Sequence, residues 1–210
     1  MAMLELFQKL RRPLFLTWLV LIFFTALDCV PSKAQENTAM KTLIVYYSRT
    51  GNTKTACEVL QKELGCDIIE IKDLKSREGG WGFFTAALGS VFNTHTRIDP
   101  EHIDLAPYGA VIIGSPVWAG RPAAAIRTFI AQNSFGDKKV VMFTTTNVFE
   151  NKGSQSRTEN MVVRSGGRVT GYFQVAATEK INGEKTVRSQ ELIAQDAANL
   201  AVEIKKALAQ

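Results

Sequence analysis

Proline is scarce, 6 in 210 residues, and the 15 glycines are scattered, so no stretch reads as a linker, a collagen-like repeat or a disordered tract. Three cysteines in so long a chain exclude a disulfide-framed miniprotein. The two histidines, His95 and His102, have no cysteine at metal-ligand spacing, and no metal site is expected. Neither Gly-x-Gly-x-x-Gly nor Gly-Lys-Ser/Thr occurs, which removes the dinucleotide fingerprint and the Walker loop. A Cys-x5-Arg phosphatase loop is also missing. The net charge of +5 comes without a long basic run, and that leaves no electrostatic footprint for nucleic acid. What is present is ordinary globular composition, 46% hydrophobic and 21% charged, over a length that suits one large domain.

The first 34 residues read differently from the rest. Lys9, Arg11 and Arg12 form a basic start, and an apolar run follows from Leu14 to Leu27, broken only by Thr17 and Thr25. Ser32-Lys33-Ala34 puts small residues three and one positions before a cut. This is the layout of a secretory signal peptide, and the run is shorter than the roughly 20 residues of a membrane-spanning helix. A retained membrane anchor is the alternative. Arg11-Arg12-Pro13-Leu14-Phe15 resembles the core of a twin-arginine export signal, although Leu10 stands where Ser or Thr is usual. Cutting after Ala34 removes four basic and two acidic side chains, so the balance falls from +5 to +3. The protein is expected outside the cytoplasm, periplasmic or otherwise exported, or anchored to a membrane.

Beyond the leader, strands and helices alternate. Residues 42–47 are a β-branched and apolar run of the kind that is buried on both faces. Ala56, Val59, Leu60 and Leu64 recur at helical spacing and Gly65 ends the pattern. Residues 67–71, 110–114, 140–143 and 168–177 read as four further strands. Ala123, Ile126, Phe129 and Ile130 mark a helix opened by Arg121-Pro122, and 192–208 a closing helix with Leu192, Ile193, Leu200, Ile204 and Leu208 inward. Phe84, Ala87, Leu88, Val91 and Phe92 carry helical spacing within the irregular stretch 73–107, after a loop at Gly79-Gly80-Trp81-Gly82. Strands separated by helices predict one α/β doubly wound domain, 40–208, with a five-stranded parallel sheet. Cys57 and Cys66, nine apart, could pair in an oxidising compartment, but Cys57 suits the core face of its helix and both read as structural.

In such a sheet the ligand site lies beyond the carboxyl ends of the strands. The loop after the first strand is Ser48-Arg49-Thr50-Gly51-Asn52-Thr53, three hydroxyls and a glycine at a helix N-terminus. It offers N–H and hydroxyl donors to a phosphate, and equally it makes a tight strand-to-helix turn. The loop after the third strand is Gly114-Ser115-Pro116-Val117-Trp118-Ala119-Gly120. Its tryptophan can stack on a flat ligand or pack under a neighbouring loop.

Together the two loops resemble the FMN-phosphate loop and the first isoalloxazine loop of the flavodoxin family, in order and in spacing, and the resemblance runs from Met40 to about Leu208. It implies a flavodoxin-like three-layer fold with strand order 2-1-3-4-5, and FMN as the cofactor. By that resemblance Ser48, Thr50, Gly51, Asn52 and Thr53 would hold the phosphate, with Arg49 at a variable position. Ser115, Pro116, Val117, Trp118, Ala119 and Gly120 would flank the ring. Thr145, Thr146 and Asn147 fall where the second ring loop begins, but the family's Gly-Asp and stacking Tyr are missing there, and Val148 or Phe149 would have to substitute. No catalytic side chain is implied. Three functions remain open: an electron-transfer carrier that docks on a redox partner protein, an FMN-dependent NAD(P)H reductase of quinones or another small electron acceptor, and a flavin-binding module without turnover. Ordinary family members are acidic, so the balance of +3 departs from their usual partner chemistry.

Overall fold

The computed structural model describes residues 41–74, 95–147 and 152–210. The leader, the 79–82 loop with Trp81, the 84–92 run, and Val148 and Phe149 lie outside the described residues. In chain order the elements are β1 (Thr42–Tyr46), α1 (Asn52–Leu64), β2 (Asp67–Glu70), β3 (Lys72–Asp73) and β4 (Ile98–Asp99). Then come β5 (Ala110–Trp118), β6 (Arg121–Pro122), α2 (Ala124–Gln132), β7 (Lys139–Thr146) and α3 (Lys152–Arg164). The chain closes with β8 (Arg168–Ala176), β9 (Thr178–Ile181), β10 (Glu184–Val187) and α4 (Gln190–Ala209).

The main sheet follows from the five expected strands. They pair in parallel in the order β2-β1-β5-β7-β8, and β6 adds to β5 in the opposite sense. Strand residues alternate between two cores, as the period of two requires. Ile44, Tyr46, Ile112, Val141, Phe143 and Val175 pack with Leu60 of α1 and Ile193, Ala197 and Ile204 of α4. Leu43, Val45, Val111, Ile113, Val140 and Met142 pack on the other side with Ile126 and Phe129 of α2 and Val162 of α3. Helix, sheet and helix make three layers. Burial on both faces is why β1 and β5 read as unbroken apolar runs.

Several boundaries and faces differ from expectation. β5 does not end at Gly114 but continues through Ser115, Pro116, Val117 and Trp118. Ser115 and Pro116 still pair with Thr144 and Thr145 of β7, while the last β1 pairing is Tyr46 with Gly114. Pro116 therefore lies where β1 asks for no N–H, a place a strand proline can occupy. Arg121-Pro122 does not open a helix: it pairs back on Val117 and Trp118. Ala119 (φ 48°) and Gly120 (φ 70°) form the two-residue turn between them, both in the left-handed region as a type I′ turn requires.

α4 buries Ile193, Ala197, Ala201, Ile204 and Ala207. Leu192, expected inward, is 37% exposed because the inward stripe is built on alanines, which let the helix lie close to the sheet. α3 and the β9–β10 hairpin have no counterpart among the expected elements. The buried face of α3 carries Ser154 and Thr158 beside Val162, so its apolar periodicity is weak. The hairpin turns at Asn182 (φ 52°) and Gly183 (φ 87°), an Asn-Gly turn signal between exposed, mostly polar strands. Residues Ala39–Gln210 form one compact unit. Among the described residues no helix is long and apolar enough to cross a membrane.

Candidate functional site

The carboxyl ends of β1, β5 and β7 open into a cavity of about 940 Å³, at the point where the strand order reverses beside β1. Its first wall is the 48–53 loop. Gly51 takes φ 91° as the N-cap of α1, and no side chain caps the helix. The first turn of α1 holds no acidic residue either, so its N–H groups and dipole stay available to an anion. Thr53 is buried, and its hydroxyl shares a 2.8 Å hydrogen bond with that of Thr145 at the end of β7. Ser48 Oγ is closed off from solvent and has no hydrogen-bond partner. A buried hydroxyl without a partner is costly, and native structures keep few of them.

The second wall is the β5–β6 turn. Trp118 stands edge-on to Tyr47, with ring centroids 6.1 Å apart, and the guanidinium of Arg49 lies 6.0 Å from the Trp118 ring. The indole therefore packs on the first loop and lines the cavity as well. Arg157 of α3 donates to the Gly120 carbonyl at 3.4 Å and braces the turn from outside. Under the turn, Ser115 is fully buried. Its hydroxyl donates to the Pro116 carbonyl and accepts from the Ala123 N–H, both at 3.0 Å.

Of the fifteen residues singled out from the sequence, twelve line the cavity: Arg49, Thr50, Asn52, Thr53, Pro116, Val117, Trp118, Ala119, Gly120, Thr145, Thr146 and Asn147. Ser48, Gly51 and Ser115 do not; Gly51 shapes the turn and Ser115 holds the β5–β6 hairpin to α2. Five lining residues went unread: Ala177, Thr178, Lys185, Val187 and Gln190. Four of them belong to β9, β10 or the segment that joins β9 to β8, and Gln190 is the first residue of α4; the Asn182-Gly183 dipeptide was the signal that could have exposed the hairpin. Thr178 donates to the Asn147 carbonyl at 2.9 Å and so joins the hairpin to the end of β7. Arg188 donates to the Ala176 carbonyl and pairs with Asp196, which holds the return of the hairpin to α4.

Among the described residues, Arg49 and Lys185 are the charged ones of the lining and none carries a carboxylate. The site favours a ligand with negative charge. Among the described residues the cavity lining holds no cysteine. Cys57 and Cys66 are free thiols, and burial pushes Cys57 up strongly and Cys66 up to about 11. Cys57 Sγ sits under β5, where a Cβ added at Gly114 would come within 2.5 Å of it.

Neither a protein-family model nor a curated protein matches the chain. Solved structures do. A flavoprotein from Lactobacillus acidophilus, crystallised in complex with FMN, is 29% identical over 64% of this chain and 93% of that one, with a TM-score of 0.55. A protein from Bacteroides uniformis, provisionally named a flavoprotein, is 21% identical over 74% of this chain and 96% of that one, with a TM-score of 0.57. A third, from Bacteroides eggerthii and named in the same way, is 22% identical over 78% and 97%, with a TM-score of 0.54. The last two speak to the fold alone, and with the strand order they decide it. The fold is flavodoxin-like. In a flavodoxin-like sheet the cavity described above occupies the switch-point crevice between the ends of β1 and β5.

Proposed function

We propose that this chain is an FMN-binding redox protein whose main role is electron transfer. The observation that carries the reading is the uncapped α1 N-terminus with no acidic residue in its first turn, opening on a cavity lined by Thr50, Asn52, Thr53 and Trp118, with the unpartnered Ser48 hydroxyl buried in the loop behind that lining. A phosphate supplies what that corner lacks: acceptor oxygens for Ser48 and for the loop N–H groups. The residues fit the cofactor at both ends. Ser48, Thr50, Asn52 and Thr53 would hold the phosphate, and Trp118, Pro116 and Val117 would lie along the ring. Thr145, Thr146 and Asn147 close the β7 side, and Thr178, Lys185 and Val187 line the cavity beyond them. Bound FMN supplies one- and two-electron chemistry. The protein's share is to exclude water, to set the field around the ring and to control access. The 29% identity to a flavoprotein crystallised with FMN supports the same reading.

A second reading, reduction of quinones or similar acceptors by NAD(P)H, draws support from one feature. A further cavity of about 590 Å³ adjoins the first and shares Asn147, Thr178 and Lys185 with it. A second ligand seated there would reach the first across those residues.

The test is the visible absorption of the purified full-length protein, followed by stepwise anaerobic reduction. Yellow protein that reduces in two spectrally distinct one-electron steps supports the carrier. Yellow protein that bleaches in one step, and oxidises NAD(P)H when quinone is added, supports the reductase. Colourless protein that refuses added FMN overturns both. Export belongs to the same proposal: the basic and apolar opening at 9–27 would direct the chain out of the cytoplasm or tether it at the membrane. A precursor that runs at the same size as the protein in every cell fraction would rule out cleavage of the leader. Its partner would be a redox protein or a small electron acceptor suited to a cationic cavity mouth.

A further inference from the structure

Gln190, the first residue of α4, lies 138 positions from Asn52 in the chain, yet its Nε2 donates to Asn52 Oδ1 at 2.7 Å. Its Oε1 accepts from the Thr55 hydroxyl on the next turn of α1. The same Nε2 is the nearest atom to a Cβ built on Gly51, at 4.0 Å, so the Gln190 amide covers the N-cap of α1. Gln190 and Asn52 both line the cavity. Two interactions thus engage the Gln190 amide in this arrangement. Thr55 takes its oxygen, and its nitrogen is left to face Asn52.

We propose that Gln190 is the positioning residue of the phosphate corner, turning the Asn52 carboxamide so that its Nδ2 hydrogens serve as donors to the phosphate. This rests on the FMN reading given above. A carboxamide has one acceptor end and one donor end. With Oδ1 occupied by Gln190, the donor end of Asn52 remains, and no acceptor for it occurs among the described residues. Reversed, the same side chain would present an oxygen to an anion and repel it. The uncapped N-terminus of α1 and the Asn52 amide then act on one phosphate, and the Gln190–Thr55 pair holds that polarity from the far end of the chain. The ring end of the ligand plays no part, so the effect is specific to the phosphate.

The experiment titrates the full-length chain with FMN and with riboflavin, which lacks the phosphate, and follows quenching of flavin fluorescence. Thermal melts of the ligand-free proteins check that each variant folds. Gln190→Ala is expected to weaken FMN about tenfold and to leave riboflavin unchanged, the size of one hydrogen bond to a charged group. Gln190→Glu is expected to weaken FMN further, because a carboxylate accepts from Asn52 Nδ2 and turns the amide the wrong way. In an Asn52→Ala background, Gln190→Ala is expected to cost less than twofold more, since its route to the phosphate is gone. Unchanged FMN affinity in Gln190→Ala overturns the inference while the FMN reading stands. Equal loss on FMN and riboflavin also overturns it, because it reveals general packing. A wild-type chain that binds neither flavin overturns the FMN reading and this inference with it.

Discussion

The two sides of the cavity are built in opposite ways. The inner side, from the 48–53 loop and the β5–β6 turn, grows directly out of buried strands: Thr53 and Thr145 are 1% and 4% exposed and bond to each other. The outer side, from β9 and β10, stands on the surface, where Val187 is 73% exposed. The inner side is therefore anchored in the core through Thr53 and Thr145. The outer side is held by a few polar contacts, Thr178 to Asn147 and Arg188 to Ala176 and Asp196. One side positions, and the other covers.

The contrast is broken most severely at Gly114. A Cβ there would sit 2.5 Å from Cys57 Sγ and 2.8 Å from Tyr46 Cβ, both fully or nearly fully buried. Gly114→Val is expected to cost about 3 kcal/mol or more, or to prevent folding, as read from urea midpoints. Val187→Asp on the outer side should shift the same midpoint by less than about 0.5 kcal/mol.

Next comes the ring wall. Trp118→Ala removes the face toward the cavity and the contacts to Tyr47 and Arg49. FMN affinity is expected to fall by roughly ten- to a hundredfold in a fluorescence titration, the scale of one buried aromatic contact. Val187→Ala should cost less than threefold in the same assay, and a loss as large as that of Trp118→Ala would erase the distinction between the two sides.

Ser48→Ala separates binding from stability. It removes an unpartnered buried hydroxyl, so the ligand-free protein should keep its urea midpoint or gain up to about 1 kcal/mol. FMN affinity should fall about tenfold at the same time, because the phosphate loses a donor. A loss of ligand-free stability would mean that Ser48 serves the fold instead.

The last comparison is of pH dependence, and it belongs to the core under the inner side. Burial raises Cys66 from 9.0 to about 11 in the folded protein and raises Cys57 too. The unfolded chain then releases these protons first, so stability is full below pH 9 and is lost as pH rises toward 11. Urea midpoints should decline across that window, and the decline should be shallower in Cys66→Ala. A midpoint that falls equally steeply in the variant would assign the loss to other groups.

How much of this could be read from the chain depended on which kind of pattern carried it. Thr42–Tyr46 and Ala110–Ile113 announce themselves because a strand covered on both faces must be apolar at every position. The loops after them could be placed because they follow such strands. α3 escaped notice because Ser154 and Thr158 face inward, and their hydroxyls mask its 3.6-residue period. The inward face of α4 was misjudged at Leu192 because alanines, not leucines, meet the sheet there. Ser115, expected to flank the ring, is buried away from the cavity, with its hydroxyl taken up by Pro116 and Ala123.

The sequence by itself determined the five strands, their parallel sheet and the inner side of the cavity, because burial imposes periods that are written in consecutive residues. Only the tertiary structure decided that the surface hairpin supplies the outer side and that Gln190 reaches Asn52 from 138 residues away. A hydrogen bond between distant polar side chains leaves no periodic trace, since either residue alone is at home in any solvated turn. The core was local information, and the finish of the site was not.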